Sequence, residues 1–226
     1  ALYDREGNSL AEGEIHGQNG GYPIAIALSN DAVKLAVSMI NINEGSVKST
    51  IAFYNYGTVG QNEIDHCVGV NNYDDMVIPE MEFTSNDRMV AFGDTKAVIF
   101  EGVQKPQAIA EIPMDEKTKS IFYNEHYIGI VIGNEDEAVT NHLAVYDENG
   151  KLVMEKDFGL DYSSIEFLTN NEICIRNANV CDIYTVHGVY KFHHEFEEEL
   201  FEIIPGKLKL NYTLVLKDTT QRIRLK

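Results

Sequence analysis

The sequence repeats one phrase, an apolar residue followed by an aromatic and then a polar turn ending in glycine. Its fullest form is Leu143-Ala-Val-Tyr-Asp-Glu-Asn-Gly-Lys-Leu-Val-Met-Glu-Lys-Asp157. That pattern predicts a β-hairpin with Gly150 in the left-handed position. Related phrases occur at Leu2-Tyr3 to Gly7, Phe53-Tyr54 to Gly57, Ile99-Phe100 to Gly102 and Ile183-Tyr184 to Gly188. The aromatics fall at 3, 54, 100, 146 and 184, giving steps of 51, 46, 46 and 38 residues. Steps of this size are the length of a four-stranded propeller blade, so the chain is expected to be all-β and built from such units.

Reading along the chain fills in the blades. Tyr22 to Leu28 is a candidate inner strand, Ser29-Asn30-Asp31 a turn, and Lys34 to Ile42 a nearly unbroken apolar run, as expected of a strand covered on both faces. Thr50 to Tyr54 and Ile64 to Val68 complete that unit. The next unit takes Val77 to Thr84, a second Ser-Asn-Asp turn at 85–87, Met89 to Phe92, Ala97 to Phe100 and Ala108 to Ile112. A third runs from Ile121 through the acidic loop Asn134 to Glu137 into the hairpin quoted first. The fourth takes Ile165 to Leu168, Ile173 to Ile175, Val180 to Thr185 and Val189 to Phe192. His194 to Phe201 is expected to form one short helical turn. Leu208 to Leu216 and Ile223 to Leu225 supply the last strands, which lack an outermost partner. The expected architecture is therefore one β-propeller domain over residues 1–226, either about five antiparallel blades or an incomplete arc of a larger ring.

Charge narrows the partners. The chain carries 36 acidic against 18 basic residues, a formal net charge of −18, so a phosphate backbone or an anionic membrane surface meets a repulsive field. At 44% hydrophobic and 24% charged it has the composition of a chain that folds by burial. No apolar run reaches the roughly 18 residues needed to span a bilayer. Residue 1 is Ala rather than an initiator Met, and the chain is expected to be the later part of a longer protein with an export signal or anchor upstream.

Three cysteines, Cys67, Cys174 and Cys181, contain no CxxC pair. A hairpin centred on Asn177-Ala178 sets Cys174 opposite Cys181, where either a cross-strand disulfide or two small buried residues fit. His187, His193, His194 and Glu195 suggest a metal site, but on a strand His193 and His194 point to opposite faces and cannot easily share one ion. Asp74-Asp75, Glu135-Asp136-Glu137 and Glu197-Glu198-Glu199 lack the spaced oxygen ligands of a calcium loop and read as solvated loop charges. Asn211-Tyr-Thr213 is a glycosylation sequon in form only, on an expected strand. The chain has no Trp, which removes the Trp-bearing propeller enzymes, and no GxSxG, P-loop, GxGxxG or HExxH. No residue is thus assigned as catalytic, cofactor-binding or metal-ligating.

The run from Asn171 to Phe192 and the closing Gln221-Arg-Ile-Arg-Leu-Lys226 resemble the C-terminal part of a membrane-anchored β-propeller family of unknown function, mostly from gut Firmicutes. The resemblance implies a short cytoplasmic tail, one membrane helix and an extracytoplasmic propeller, and no catalytic residues or cofactor. Together these readings point to a non-catalytic module displayed outside the cytoplasm that binds a protein or polysaccharide ligand through its loops. The alternative is a glycan-directed hydrolase with two carboxylates at the propeller centre, at least one of them with a perturbed pKa.

Overall fold

A computed structural model describes residues 2–3, 6–11, 21–43, 45–57, 66–133 and 141–224. The chain divides into two compact units, Ala1–Glu116 and Lys117–Lys226. Among the described residues every regular element is a strand, and every pairing is antiparallel.

In the first unit, β1 (Leu2–Tyr3) and β2 (Ser9–Ala11) pair as a short hairpin. The first four-stranded sheet follows in chain order: β3 (Tyr22–Leu28), β4 (Lys34–Asn43), β5 (Ser46–Asn55) and β6 (Cys67–Asp74). The second is β7 (Glu80–Ser85), β8 (Arg88–Phe92), β9 (Lys96–Glu101) and β10 (Gln107–Pro113). These sheets pack face to face. Ala36, Ile51 and Phe53 of the first meet Met81, Phe83, Met89, Ala91, Val98 and Phe100 of the second, with the Phe53 and Phe100 rings 5.1 Å apart. Strand β4 is apolar on both faces, as its sequence requires, because Ala36 turns to this core while Leu35, Val37 and Met39 form a second cluster on the other side.

The second unit repeats the plan. Its first sheet is β11 (Thr118–Tyr123), β12 (Tyr127–Gly133), β13 (Asn141–Asp147) and β14 (Leu152–Phe158); its second is β15 (Ser164–Phe167), β16 (Glu172–Arg176), β17 (Val180–Thr185) and β18 (Tyr190–Glu195). A three-stranded sheet closes the series with β19 (Leu200–Pro205), β20 (Asn211–Leu216) and β21 (Thr220–Arg224). Ile173, Ile175 and Tyr184 pack on Val131, Leu143 and Val145, whereas Cys174, Cys181 and Ile183 on the opposite face pack on Leu200, Ile203, Tyr212 and Leu214. Within each unit the first strands of the two four-stranded sheets lie together, β3 with β7 and β11 with β15. Four-stranded up-and-down sheets stacked face to face with their first strands converging are the blades of a β-propeller.

The repeated aromatics mark one position of the blade: Tyr54, Phe100, Tyr146 and Tyr184 all stand at the end of the third strand. Gly150 has φ +75°, and its N–H and the Lys151 N–H bond to Asp147, the first to the main-chain oxygen and the second to the carboxylate. Gly188, at φ +78°, closes the same turn after Tyr184, its N–H bonded to the Thr185 carbonyl. Only glycine adopts this backbone without strain.

Three expectations need correction. The start of the strand expected from Ile64 to Val68 is not among these, because residues 64–65 lie outside the described residues; its later part is in β6, Cys67–Asp74. Strand β7 begins at Glu80; the apolar stretch before it runs under the first sheet, where the Ser49 and Ser38 hydroxyls donate to the Met76 and Ile78 carbonyls. No helical turn forms at 194–201. Phe196 and Leu200 instead bury between the last two sheets, with their N–H groups bonded to Asn179 and Ala178. The β16–β17 turn is centred one residue later than expected, on Ala178-Asn179, because the Asn177 side chain accepts from the Asn179 and Val180 N–H groups and holds Asn177 as the first residue of the turn. Cys174 therefore pairs with Ile183, and Cys181 with Arg176.

Candidate functional site

The residues expected to matter in the fourth sheet are sorted by a bulge. Between the pairs Ile183–Phe192 and Tyr184–Tyr190 the register slips, so Lys191 is the extra residue of β18. Lys191 and Phe192 both turn toward the three-stranded sheet, while Tyr190 and His193 turn the other way. His194 returns to the Phe192 side, its ring 4.6 Å from that of Phe196. His193 and His194 thus occupy opposite faces, as strand geometry requires.

On the His193 face the centre is Asp182, which is 8% exposed. His193 Nδ1 lies 2.7 Å from its carboxylate, and the Tyr190 hydroxyl donates to the same oxygen at 3.4 Å. Burial and then Asp182 push the Tyr184 hydroxyl up to about 12, and the same causes raise Tyr190. The Lys156 ammonium sits 5.1 Å over the Tyr184 ring.

On the opposite face Glu172 joins two sheets. The Tyr212 hydroxyl of β20 donates to Glu172 Oε2 at 2.5 Å, the Lys191 ammonium pairs with Oε1, and Lys191 reaches Tyr212 at 3.2 Å. Burial opposes the charge on Lys191, but hydrogen bonds to Glu172 and Tyr212 carry its pKa above the usual value. Tyr212 is also raised, by burial first and then by the Glu172 carboxylate.

Within each unit, polar groups also join the turns between the first and second strands. In the first unit the Asp31 N–H donates to Asn86 Oδ1 at 3.1 Å, so the two Ser-Asn-Asp turns touch. In the second unit the same hairpins meet through Asn124 Nδ2 and Asn171 Oδ1 at 2.8 Å.

Two features lie on the converging strands of the first unit. Along β3, Ala25 and Ala27 turn to the shared core, while Ile24, Ile26 and Leu28 turn outward and are joined by Tyr22; Tyr22 is 76% and Ile26 63% exposed. On β7, Glu80 and Glu82 alternate with the buried Met81 and Phe83. Partial burial, with the like charge of Glu80 second, raises the Glu82 pKa.

The carboxylate groups singled out in the sequence fall apart in space. Asp74 ends β6 and pairs with Lys48 at 3.4 Å; Glu198 receives the Thr219 hydroxyl in the β18–β19 connection. Residues 135–137 lie outside the described residues. His187 sits in the β17–β18 turn. Among the described residues no three His, Cys, Asp or Glu side chains assemble as a metal site. Asn211, the sequon residue, opens β20 with its amide donating to the Leu208 carbonyl. Sequence reasoning missed the Glu172–Lys191–Tyr212 and Asp182 groups, whose members come from different strands, and the Glu80–Glu82 pair, which carries a legible sign: strict charged–apolar alternation in an otherwise apolar set of strands.

None of the curated proteins matches the sequence. Among solved structures, Kluyveromyces lactis Hsv2p is similar over 90% of this chain and 74% of its own, at 9% identity and a TM-score of 0.39. The Neurospora crassa Pan2 WD40 domain is similar over 97% of this chain and 67% of its own, at 7% identity and a TM-score of 0.45. The AfRom2 CNH domain is similar over 91% and 71%, at 12% identity and a TM-score of 0.47. Residues 1–225 match the profile of a family of unknown function, DUF5711.

Proposed function

From the premise that the chain belongs to the DUF5711 family of unknown function, we propose that it is a propeller-type interaction module that holds a protein partner against the outward face of β3. The observation that carries this reading is the exposed row Tyr22, Ile24, Ile26 and Leu28. No Asp, Glu, Lys or Arg occurs between Gly17 and Asn30, in a chain whose net charge is −18. An uncharged, mainly aliphatic row of this kind on an acidic protein, with Tyr22 its one polar handle, suits an apolar protein surface better than a polysaccharide, whose hydroxyls need several polar partners. The reading is non-catalytic and takes residues 1–226 as one propeller domain, the later part of a longer protein. Display outside the cytoplasm through an upstream membrane helix belongs to the same proposal and is supported by the family resemblance of residues 171–192 and 221–226. Among the described residues no helix is long and apolar enough to cross a membrane.

A photo-crosslinking residue placed at Ile26 in cells tests the surface, with Gln107 as an exposed control position. One discrete adduct from position 26, competed by purified chain but not by the folded Ile26→Lys variant, is the expected result. Adducts common to both positions, or equal competition by the variant, overturn it. Protease accessibility of the chain in intact cells tests the location.

A second reading, a glycan-directed hydrolase, is favoured by the Glu80–Glu82 pair. Residues two apart on a strand stand roughly 6–7 Å apart along the backbone, and the raised Glu82 is the one suited to donate a proton. Release of reducing ends from a glycan panel, abolished in Glu82→Gln, supports this reading; no release from any glycan removes it.

A further inference from the structure

Cys174 of β16 and Cys181 of β17 are both fully buried, 0% exposed, in the core between the fourth sheet and the three-stranded sheet. The register makes them diagonal neighbours on one face, and their Sγ atoms lie 3.6 Å apart. Both are thiols. Around them are Leu168, Ile183, Phe196 and Leu214, with the Glu166 and Arg176 charges acting on Cys174 more weakly than its contact with Cys181. A disulfide needs an S–S distance of about 2.05 Å. Diagonal neighbours stand roughly 7–8 Å apart at the backbone, so closing the remaining gap needs a small shift of the two strands, which the packed core opposes and a partly folded chain allows.

We propose that Cys174 and Cys181 are a disulfide site oxidised during folding by a low-molecular-weight disulfide, before the last sheet closes over the fourth. One cysteine thiolate attacks the S–S bond of the reagent, for example glutathione disulfide, forming a mixed disulfide and expelling one reduced thiol. The second thiolate attacks the cysteine sulfur of that mixed disulfide, forming the Cys174–Cys181 bond and expelling the second reduced thiol. Two electrons pass to the reagent, and the two cysteine protons end on its two thiols. In the folded protein the first step is blocked twice. No sulfur surface is open to the reagent, and hydrogen bonding to Cys181, together with burial, raises the Cys174 pKa far above the ordinary thiol range, so the attacking thiolate is scarce. The pair therefore records the redox conditions under which the chain folded rather than those it meets afterwards.

The test is refolding of the full chain from guanidinium with an excess of oxidised over reduced glutathione. The product is then denatured and alkylated, and its mass is measured. The expected product carries one alkyl adduct where the reduced chain carries three. Trypsin cuts after Arg176, so the bond should appear as peptide 157–176 joined to peptide 177–191. Folded, reduced protein in the same buffer should oxidise on the order of 100-fold more slowly. Three adducts after oxidative refolding, a bond to Cys67, or equal rates for folded and refolding chains overturn the proposal. Expression in an oxidising and in a reducing compartment, read by the same adduct count, gives the answer independently of refolding. One adduct against three is expected, and three in both overturns the proposal.

Discussion

The Lys34 ammonium lies 2.6 Å from the Asp87 carboxylate and donates to the Asn86 main-chain carbonyl at 2.8 Å. Lys34 is 5% exposed, so this cation is withdrawn from water at the place where the first two sheets meet. Ser29 and Asp31 complete the junction: the Ser29 hydroxyl donates to Asp31, accepts from the Lys34 N–H, and holds the Asp31 carboxyl below its usual range ahead of any effect of Lys34. The repeated Ser-Asn-Asp turns are therefore mutually docking parts.

Removing the buried cation should cost more than removing its half-hydrated partner. Lys34→Met is expected to destabilise by about 1.5–3 kcal/mol, the range for hydrogen bonds to charged groups, and Asp87→Asn by less, because that carboxylate is half in water. Urea denaturation of both variants checks the order; an Asp87→Asn loss equal to or above that of Lys34→Met contradicts it.

Legibility followed distance along the chain. The aromatic at the end of each third strand and the glycine of its turn act within a few residues, so their repeat was readable, as were the two-sided strand β4 and the opposed faces of His193 and His194. The bulge at Lys191 was not. It depends on two strands slipping past one another, and it decides which side chains reach Glu172. Phe196 and Leu200, four apart, imitate a helical face, yet they serve two different strands' ends. Glu172 and Tyr212 are 40 positions apart, and nothing in either neighbourhood announces the pairing.

The Glu172–Lys191–Tyr212 group should behave as an inter-sheet clasp. Tyr212→Phe removes one charge-assisted hydrogen bond while keeping the ring in the core, for an expected loss of about 1.5–3 kcal/mol. Glu172→Ala leaves Lys191 and the Tyr212 hydroxyl without their acceptor and should cost more. The double variant should lose less than the sum of the two, since the partners share one network; strict additivity in chemical denaturation contradicts the clasp.

Alkaline pH should weaken the second unit. Tyr184, Tyr212 and Lys191 all hold their protons more tightly folded than unfolded. Between the unfolded tyrosine value near 10 and the folded Tyr184 value of about 12, the unfolded chain has released a proton that the folded chain keeps. Stability is therefore complete below about pH 10 and falls above it. Tyr184→Phe should make that fall shallower without altering the profile below pH 9, as followed by the thermal midpoint against pH. An unchanged alkaline limb excludes Tyr184 as a contributor.

Glu82 carries the same lesson in a lower pH window. Burial and the Glu80 charge raise its pKa, so the folded state takes up a proton more readily than the unfolded chain. Its contribution is intact below the ordinary glutamate value of about 4.3 and is lost as pH rises through the folded value. Glu82→Gln removes the ionisation altogether. The thermal midpoint of the variant, relative to the parent, should therefore be higher at pH 7 than at pH 3.5, where both side chains are neutral. A relative midpoint that is flat across this range means that Glu82 meets the same environment folded and unfolded, and the proton-donor role in the hydrolase reading then loses its physical basis.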